Sequence, residues 1–479
     1  MSDKLYRRTH PCTVFSHLKI SAILILIPVV QEILYTPQNL LEIISTLSAN
    51  TLYAIALIIF SIYSYRFHLY RTTYDAIEIK KGLLIKQYYC VPYDRIYTIN
   101  IYKNIFSLPL GAHKISFDTP SGSSRHYDIS AYFSTELSRQ TEKRIEGNNA
   151  PMYNYKSKYL YMLLMSAFWS NPATGLLFAA PFISRLGDVL GYEIRNTVLN
   201  TMNEFRQILS FNISPIAATI ANILVLGWAI ALTLQFLRYA GFESYVTGDY
   251  IAVRRGILSK SITYTRRDRL AAVTINQSLF MWLLGLYSSG VFMIGSGKLK
   301  GDRGLIIAAE KKDKIGYLVK QFAVLNDDDS NSLRPKTNTI YSYICLPLWI
   351  IIVITALLIT ADSFSVINEF FRVLMLFALI PLVWWTLFRL FARSRSFAAV
   401  NDECVIMCSY DRLTLKKYII PKDKVQYVSI SQSIFQKRKN TCSVRVYMFF
   451  EKRACHTVKH IDADRAREMF GFAANGGKK

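Results

Sequence analysis

The sequence predicts a membrane α-helical plus α+β protein: six transmembrane helices in three pairs, each pair followed by a small antiparallel sheet domain with a C-terminal helix. Three observations predict it. Apolar runs of membrane length arrive two by two. The polar segments between them open with alternating apolar and polar residues and close in a helical pattern. Residue types recur across the three segments at fixed intervals.

At 479 residues the chain exceeds what one core sustains, so several units are expected. A hydrophobic fraction of 52% with mean hydropathy +0.21 is high for a soluble domain, while 19% charged residues is too many for a bundle buried in lipid. The formal charge of +24 suits an anionic surface, and its cations flank the apolar runs. Seven cysteines lack metal-ligand spacing and, as with Cys404 and Cys408, read as reduced, buried small hydrophobes.

The apolar runs begin at Ile20 and Thr51, at Tyr159 and Ile216, and at Ile340 and Phe371. The first lacks a small-residue cleavage site and reads as a retained anchor. Lys4, Arg7, Arg8 and Lys19 precede the first helix, Arg66 and Arg71 follow the second, and Arg389, Arg393 and Arg395 close the sixth. The positive-inside bias therefore predicts a multi-pass membrane protein with both termini and all three large polar segments cytoplasmic. The connector from Ser184 to Ser214 carries Arg185, Arg195 and Arg206 and is expected to form an amphipathic helix on the outer face. Gln31 and Glu32, and Asn171 with Pro172, read as exposure near a helix end and a tolerated kink. The predicted divisions are 1–69 (helix pair), 70–150 (domain one), 151–238 (helix pair), 239–330 (domain two), 331–392 (helix pair) and 393–479 (domain three).

The repeat can be read from residue numbers. Asp75 to Asp94 and Asp249 to Asp268 are both 19 residues. Asp94 to Phe106, Asp268 to Phe280 and Asp423 to Phe435 are each 12, and from those phenylalanines to Gly111, Gly285 and Asn440 each interval is 5. Gly82 and Gly256 follow cation pairs between two alternating runs, the place of a hairpin turn with positive φ. The third unit has no glycine there, so Ser409, Tyr410 and Asp411 are expected to form a longer turn. Asn440 in place of glycine keeps a left-handed backbone position.

The stretches YDAIEIKKGLL and GDYIAVRRGIL, then "DRI" or "DRL", then QSLFMWLLGL, each after an apolar pair, resemble the bacterial membrane-flanked domain with a PH-like fold, and the triplication resembles the YdbT-like membrane proteins of bacteria. The resemblance implies a strongly bent antiparallel sheet capped by a C-terminal helix. It also implies a smaller single-unit PH-like membrane protein as partner and, through similar proteins, a link to tolerance of antimicrobial peptides. It implies no catalytic activity.

The residues point the same way. Asp94, Asp268 and Asp423 each adjoin a cation before an apolar strand, a turn position rather than an acid/base one. His113, His126, His456 and His460 do not cluster with acids or thiols, and no phosphate loop, GxSxG elbow or HExxH helix is present, so neither catalysis, cofactor nor metal is expected. The candidate sites for anionic lipid or a partner are Lys80, Lys81, Arg254, Arg255, Lys416, Lys417, Lys437, Arg438 and Lys439, set against a basic surface that merely obeys the charge bias. Met281 and Trp282 are either interfacial or packed beneath their own sheet. The expected function is a non-enzymatic scaffold binding membrane lipids or partner proteins, with homo-oligomerisation open and nucleic acid excluded by the absence of a recognition helix. The alternative is a subunit transporting lipid or peptide.

Overall fold

The computed structural model describes residues 6–14, 55–56, 58–82, 85–105, 107–119, 128–147, 151–169, 215–293, 304–323, 325, 331–364, 369–411, 414–448 and 454–471. Its first sheet is β1 (Arg7–Arg8), β2 (Leu69–Thr72), β3 (Ala76–Lys81) and β4 (Gln87–Pro92), in that order. The alternation read in AIEIKK is physical: Ile77 and Ile79 are buried while Glu78 between them is half-buried.

The next strands are β5 (Thr98–Lys103), β6 (Ala112–Asp118) and β7 (Ile129–Ser134), then β8 (Met152–Lys156), β9 (Glu243–Thr247), β10 (Tyr250–Arg255) and β11 (Lys260–Arg266). They form one seven-stranded sheet, ordered β7-β6-β5-β11-β10-β9-β8. A second seven-stranded sheet repeats the scheme with β12 (Leu270–Ser278), β13 (Leu286–Met293), β14 (Leu305–Lys311), β15 (Ser332–Leu333), β16 (Phe397–Val400), β17 (Cys404–Asp411) and β18 (Thr414–Pro421), ordered β14-β13-β12-β18-β17-β16-β15. A last sheet of three holds β19 (Val425–Ser431), β20 (Thr441–Met448) and β21 (Ala454–Asp462).

Each repeat therefore gives four strands to one sheet and three to the next, and neighbouring repeats are joined by antiparallel pairing of β5 with β11 and of β12 with β18. The change of sheet happens at the repeated aspartates. Asp94, Asp268 and Asp423 sit in short 3-10 turns, Tyr93–Arg95, Arg267–Arg269 and Lys422–Lys424, which carry the chain from one sheet into the following one.

The turn residues behave as their chemistry requires. Gly82 and Gly256 have φ of 110° and 92°, and a Cβ there would lie 2.0 Å and 2.2 Å from the carbonyl oxygens of Ile85 and Ser259. Gly111, Gly285 and Asn440 occupy the left-handed region at φ 66°, 63° and 44°. The longer turn expected at Ser409–Asp411 does not form: β17 continues through Asp411, which pairs with Thr414, because the strand pairing extends further than in the other repeats.

Helices close the units where expected. Thr135–Glu146 is capped by Ser134, Lys312–Ala323 buries Ile315, Val319, Phe322 and Ala323, and Ala463–Met469 is capped by Asp462. Cys404 and Cys408 are buried, whereas Cys90 and Cys345 are exposed.

The expectation of six transmembrane helices in three pairs is corrected. Among the described residues one helix is long and apolar enough to cross a membrane, within Thr337–Thr360 at mean hydropathy 2.5, and antiparallel sheets dominate the architecture. The physical reason is that apolar runs serve sheet cores as well as lipid. The helix Tyr159–Trp169 is 11 residues long in its described part and places Met162 and Met165 in the core of the second seven-stranded sheet. The helix Pro215–Tyr239 ends in that core through Phe236 and Tyr239. The helix Glu369–Arg395 buries Phe388 and Ala392 against Tyr410. The run from Ile20, with Gln31 and Glu32, the continuation through Asn171 and Pro172, and the connector from Ser184 to its arginines lie outside the described residues.

Candidate functional site

The basic hairpins are built against the ends of apolar helices. In the second repeat the Gly256 N–H donates to Ala240 O (2.9 Å) and the Ile257 N–H to Leu237 O (3.1 Å), so the hairpin tip rests on the C-terminal turn of Pro215–Tyr239. Arg255 lies 5.4 Å over the Tyr239 ring, and Ile257 and Leu258 beyond it are exposed. In the first repeat Lys80 pairs with Leu69, close behind the helical residues 58–65; it lies 4.0 Å from the Tyr6 ring centre, and Lys81 lies 4.6 Å from that of Tyr89. In the third, Tyr410 packs on Phe388 and lies beneath Arg389 of the helix Glu369–Arg395.

A second feature recurs at the phenylalanine position of each unit, where a short turn leaves the first strand of the second half. Ile105, Leu108 and Leu110 are exposed in the first turn, and Trp282, Leu283 and Leu284 in the second. Ile434 and Phe435 in the third are each 78% exposed. Such repeated exposure of large apolar residues is not expected of a solvated surface. Met281 is buried, as packing beneath its sheet requires, but Trp282 is partly exposed and meets Phe391 near the end of the helix Glu369–Arg395, the rings tilted at 53° with centres 4.5 Å apart.

The bacterial PH domain family matches residues 20–147, 198–291 and 346–473. The chain belongs to this family. It is also similar to the UPF0699 transmembrane protein YdbT of Bacillus subtilis (strain 168), with 21% identity over 411 residues that cover 79% of each chain.

The remaining candidate cations of this bacterial PH domain protein fall into different settings. Arg254, next to Arg255 in sequence, faces away from it: its guanidinium is 3.1 Å from Glu146 of the preceding unit and 4.8 Å over the Tyr245 ring. Lys416 and Lys417 lie in the middle of a shared sheet, opposite Asn276 and Ile275, with Lys417 5.3 Å over Phe397. Lys437 and Arg438 end the short helix Ile434–Arg438, and Lys439 donates to Asn338 O (3.1 Å). The structure thus brings Lys437, Arg438 and Lys439 beside the exposed Ile434 and Phe435, and separates Arg254 from that chemistry.

The group that reading the sequence missed is Glu146. It is the last residue of its helix and accepts hydrogen bonds from Tyr245 (2.6 Å), Tyr264 (2.7 Å) and Arg254 (3.1 Å), all from the second PH domain unit. Burial pushes its carboxyl up, but the two tyrosine hydroxyls and the arginine outweigh burial and hold it below its ordinary value. Nothing local in TEKRIE, where two glutamates flank two cations, marks Glu146 as having a fixed partner.

Proposed function

We propose that this bacterial PH domain protein is a non-enzymatic scaffold held at the bacterial cytoplasmic membrane, with its termini and sheets on the cytoplasmic side. Its repeated faces bind anionic lipid headgroups. The observation that carries this reading is the threefold recurrence of an exposed apolar turn, Ile105 to Leu110, Trp282 to Leu284 and Ile434 with Phe435, together with basic hairpins seated at apolar helix ends. Full burial of one such side chain is worth about 2 kcal/mol, and each cation near an anionic leaflet adds about 1 kcal/mol. Several turns acting together fix the orientation of the sheets against the surface.

The test places an environment-sensitive fluorophore on Leu283→Cys in the full chain, with the exposed Cys90 and Cys345 changed to serine so that the label is unique among the described surface thiols, reconstituted in bilayers containing brominated lipid. Quenching that strengthens with anionic lipid is expected, and an unquenched probe would sink the reading. A contribution to envelope defence against antimicrobial peptides belongs to the same proposal. A deletion strain should become more susceptible, and a strain complemented with Ile434→Glu and Phe435→Glu should stay so.

A further inference from the structure

The two internal junctions use one register. Asp268 lies 174 residues after Asp94, and Asp423 lies 155 after Asp268. Ile99 of β5 pairs with Tyr264 of β11, and shifting both partners by those intervals gives Val273 with Ile419, the pairing found between β12 and β18. The same shift carries Asn100 and Thr263 onto Thr274 and Tyr418. The junction is therefore a reusable connection, in which the first strand of one unit's second half docks on the last strand of the next unit's first half.

That connection is open at both ends of the array. The first sheet ends at β4, the counterpart of β11 and β18, and the last sheet ends at β19, the counterpart of β5 and β12. Both are more exposed than their paired counterparts: β4 has one buried residue, Val91, and β19 has none, whereas four of the six β11 residues that pair with β5 are buried. Neither QYYCVP nor VQYVSIS contains a charged residue, the usual protection of a free edge.

The other sheet edges are protected. β1 and β15 have two residues each, β1 being Arg7–Arg8, and β8 ends in Lys156. β7 receives the His10 N–H on Tyr132 O, β14 receives the Tyr155 and Ser244 hydroxyls on Ala309 O and Ile306 O, and β21 receives the Lys336 N–H on His460 O. Among the described residues, β4 and β19 are the long edges left uncharged and uncapped.

We propose that β19 of one molecule pairs antiparallel with β4 of a second copy of this chain, extending the array head to tail in the register of the internal junctions. Applying the repeat intervals places Val428 opposite Cys90 and Ile430 opposite Tyr88, as Ile99 faces Tyr264 and Ile101 faces Ile262 inside the chain. Apolar residues then meet on the face that is buried at the existing junctions. Tyr88, 56% exposed, and the half-buried Ile430 would be covered. The contact is heterologous, so repetition gives rows, or rings where curvature closes them. It does not depend on lipid binding.

Cys90 is an exposed free thiol, which makes the register testable in the full chain in its own membranes. Val428→Cys under mild oxidation should give a ladder of covalent dimers and larger species, because opposed strand positions lie within disulfide reach. Adding Cys90→Ser should abolish the ladder, and Ser429→Cys, whose side chain leaves the sheet on the opposite face, should give none. Asn100→Cys with Thr263→Cys serves as an internal control for folding, since it should close a bond within one chain. If that control forms while Val428→Cys yields no ladder, the proposal is overturned. A faster-migrating monomer from a Cys90–Val428→Cys bond within one chain, or a cross-link to a smaller, different PH domain protein, would equally overturn it.

Discussion

The two junctions between units keep the same backbone pairing with different side chains. At the first, Glu146 closes the helix Thr135–Glu146 and gathers Tyr245, Arg254 and Tyr264. At the second, the helix of equal length, Lys312–Ala323, ends in buried Ala323, and the repeat interval puts Val400, Ser409 and Ile419 where the tyrosines and arginine stood. Ala323 and Ile419 lie in one apolar core with Val273 and Ile275. The difference teaches that register is set by the backbone edges and the turn at the repeated aspartate, while polar or apolar side chains can seal the joint interchangeably.

This comparison can be broken most severely at the apolar joint. Ile419→Asp buries an uncompensated carboxylate where the side chain is fully enclosed, and should cost about 4 kcal/mol, read as a large drop in thermal midpoint of the purified protein. Glu146→Ala leaves two hydroxyls and a guanidinium without their acceptor and should cost about 2 kcal/mol, less than Ile419→Asp because the pair is partly exposed. Pairing Glu146→Ala with Tyr264→Ile converts the first joint towards the second, and the double variant should be more stable than the sum of its single effects.

Acid sharpens the contrast further. The carboxyl of Glu146 is held below its ordinary value of 4.5, so its contribution is full above that pH and is lost as pH falls through the depressed folded value. Protection of β11 amides against hydrogen exchange should therefore fall in that acid range, while protection of β18 stays level. The smallest effect is expected at Gly285→Asn, within about 1 kcal/mol, since Asn440 already holds the equivalent left-handed position.

Much of each unit was legible because its signals are local. The cation pair before Gly82 and Gly256, the aspartate turns and the closing helices follow from short-range backbone chemistry and periodicity. What could not be read is the sharing of sheets. The contact of Asn100 with Ser261 and Thr263 spans more than 160 residues, and edge complementarity leaves no local mark. The count of membrane helices failed for a related reason: Met162, Met165, Phe236 and Tyr239 are as apolar as lipid-facing residues but fill sheet cores. Of the candidate cations, Arg255 and the run Lys437 to Lys439 lie beside exposed apolar residues, whereas the role of Arg254 depended on Glu146, distant in sequence.

The central claim is that neighbouring units are joined edge to edge into continuous sheets, and cysteines at Asn100 and Thr263 test it most directly. The account predicts a bond within one chain that forms readily for this directly opposed pair and poorly when the second cysteine is moved to Thr265. Failure of the opposed pair, or preference for the displaced one, would contradict it.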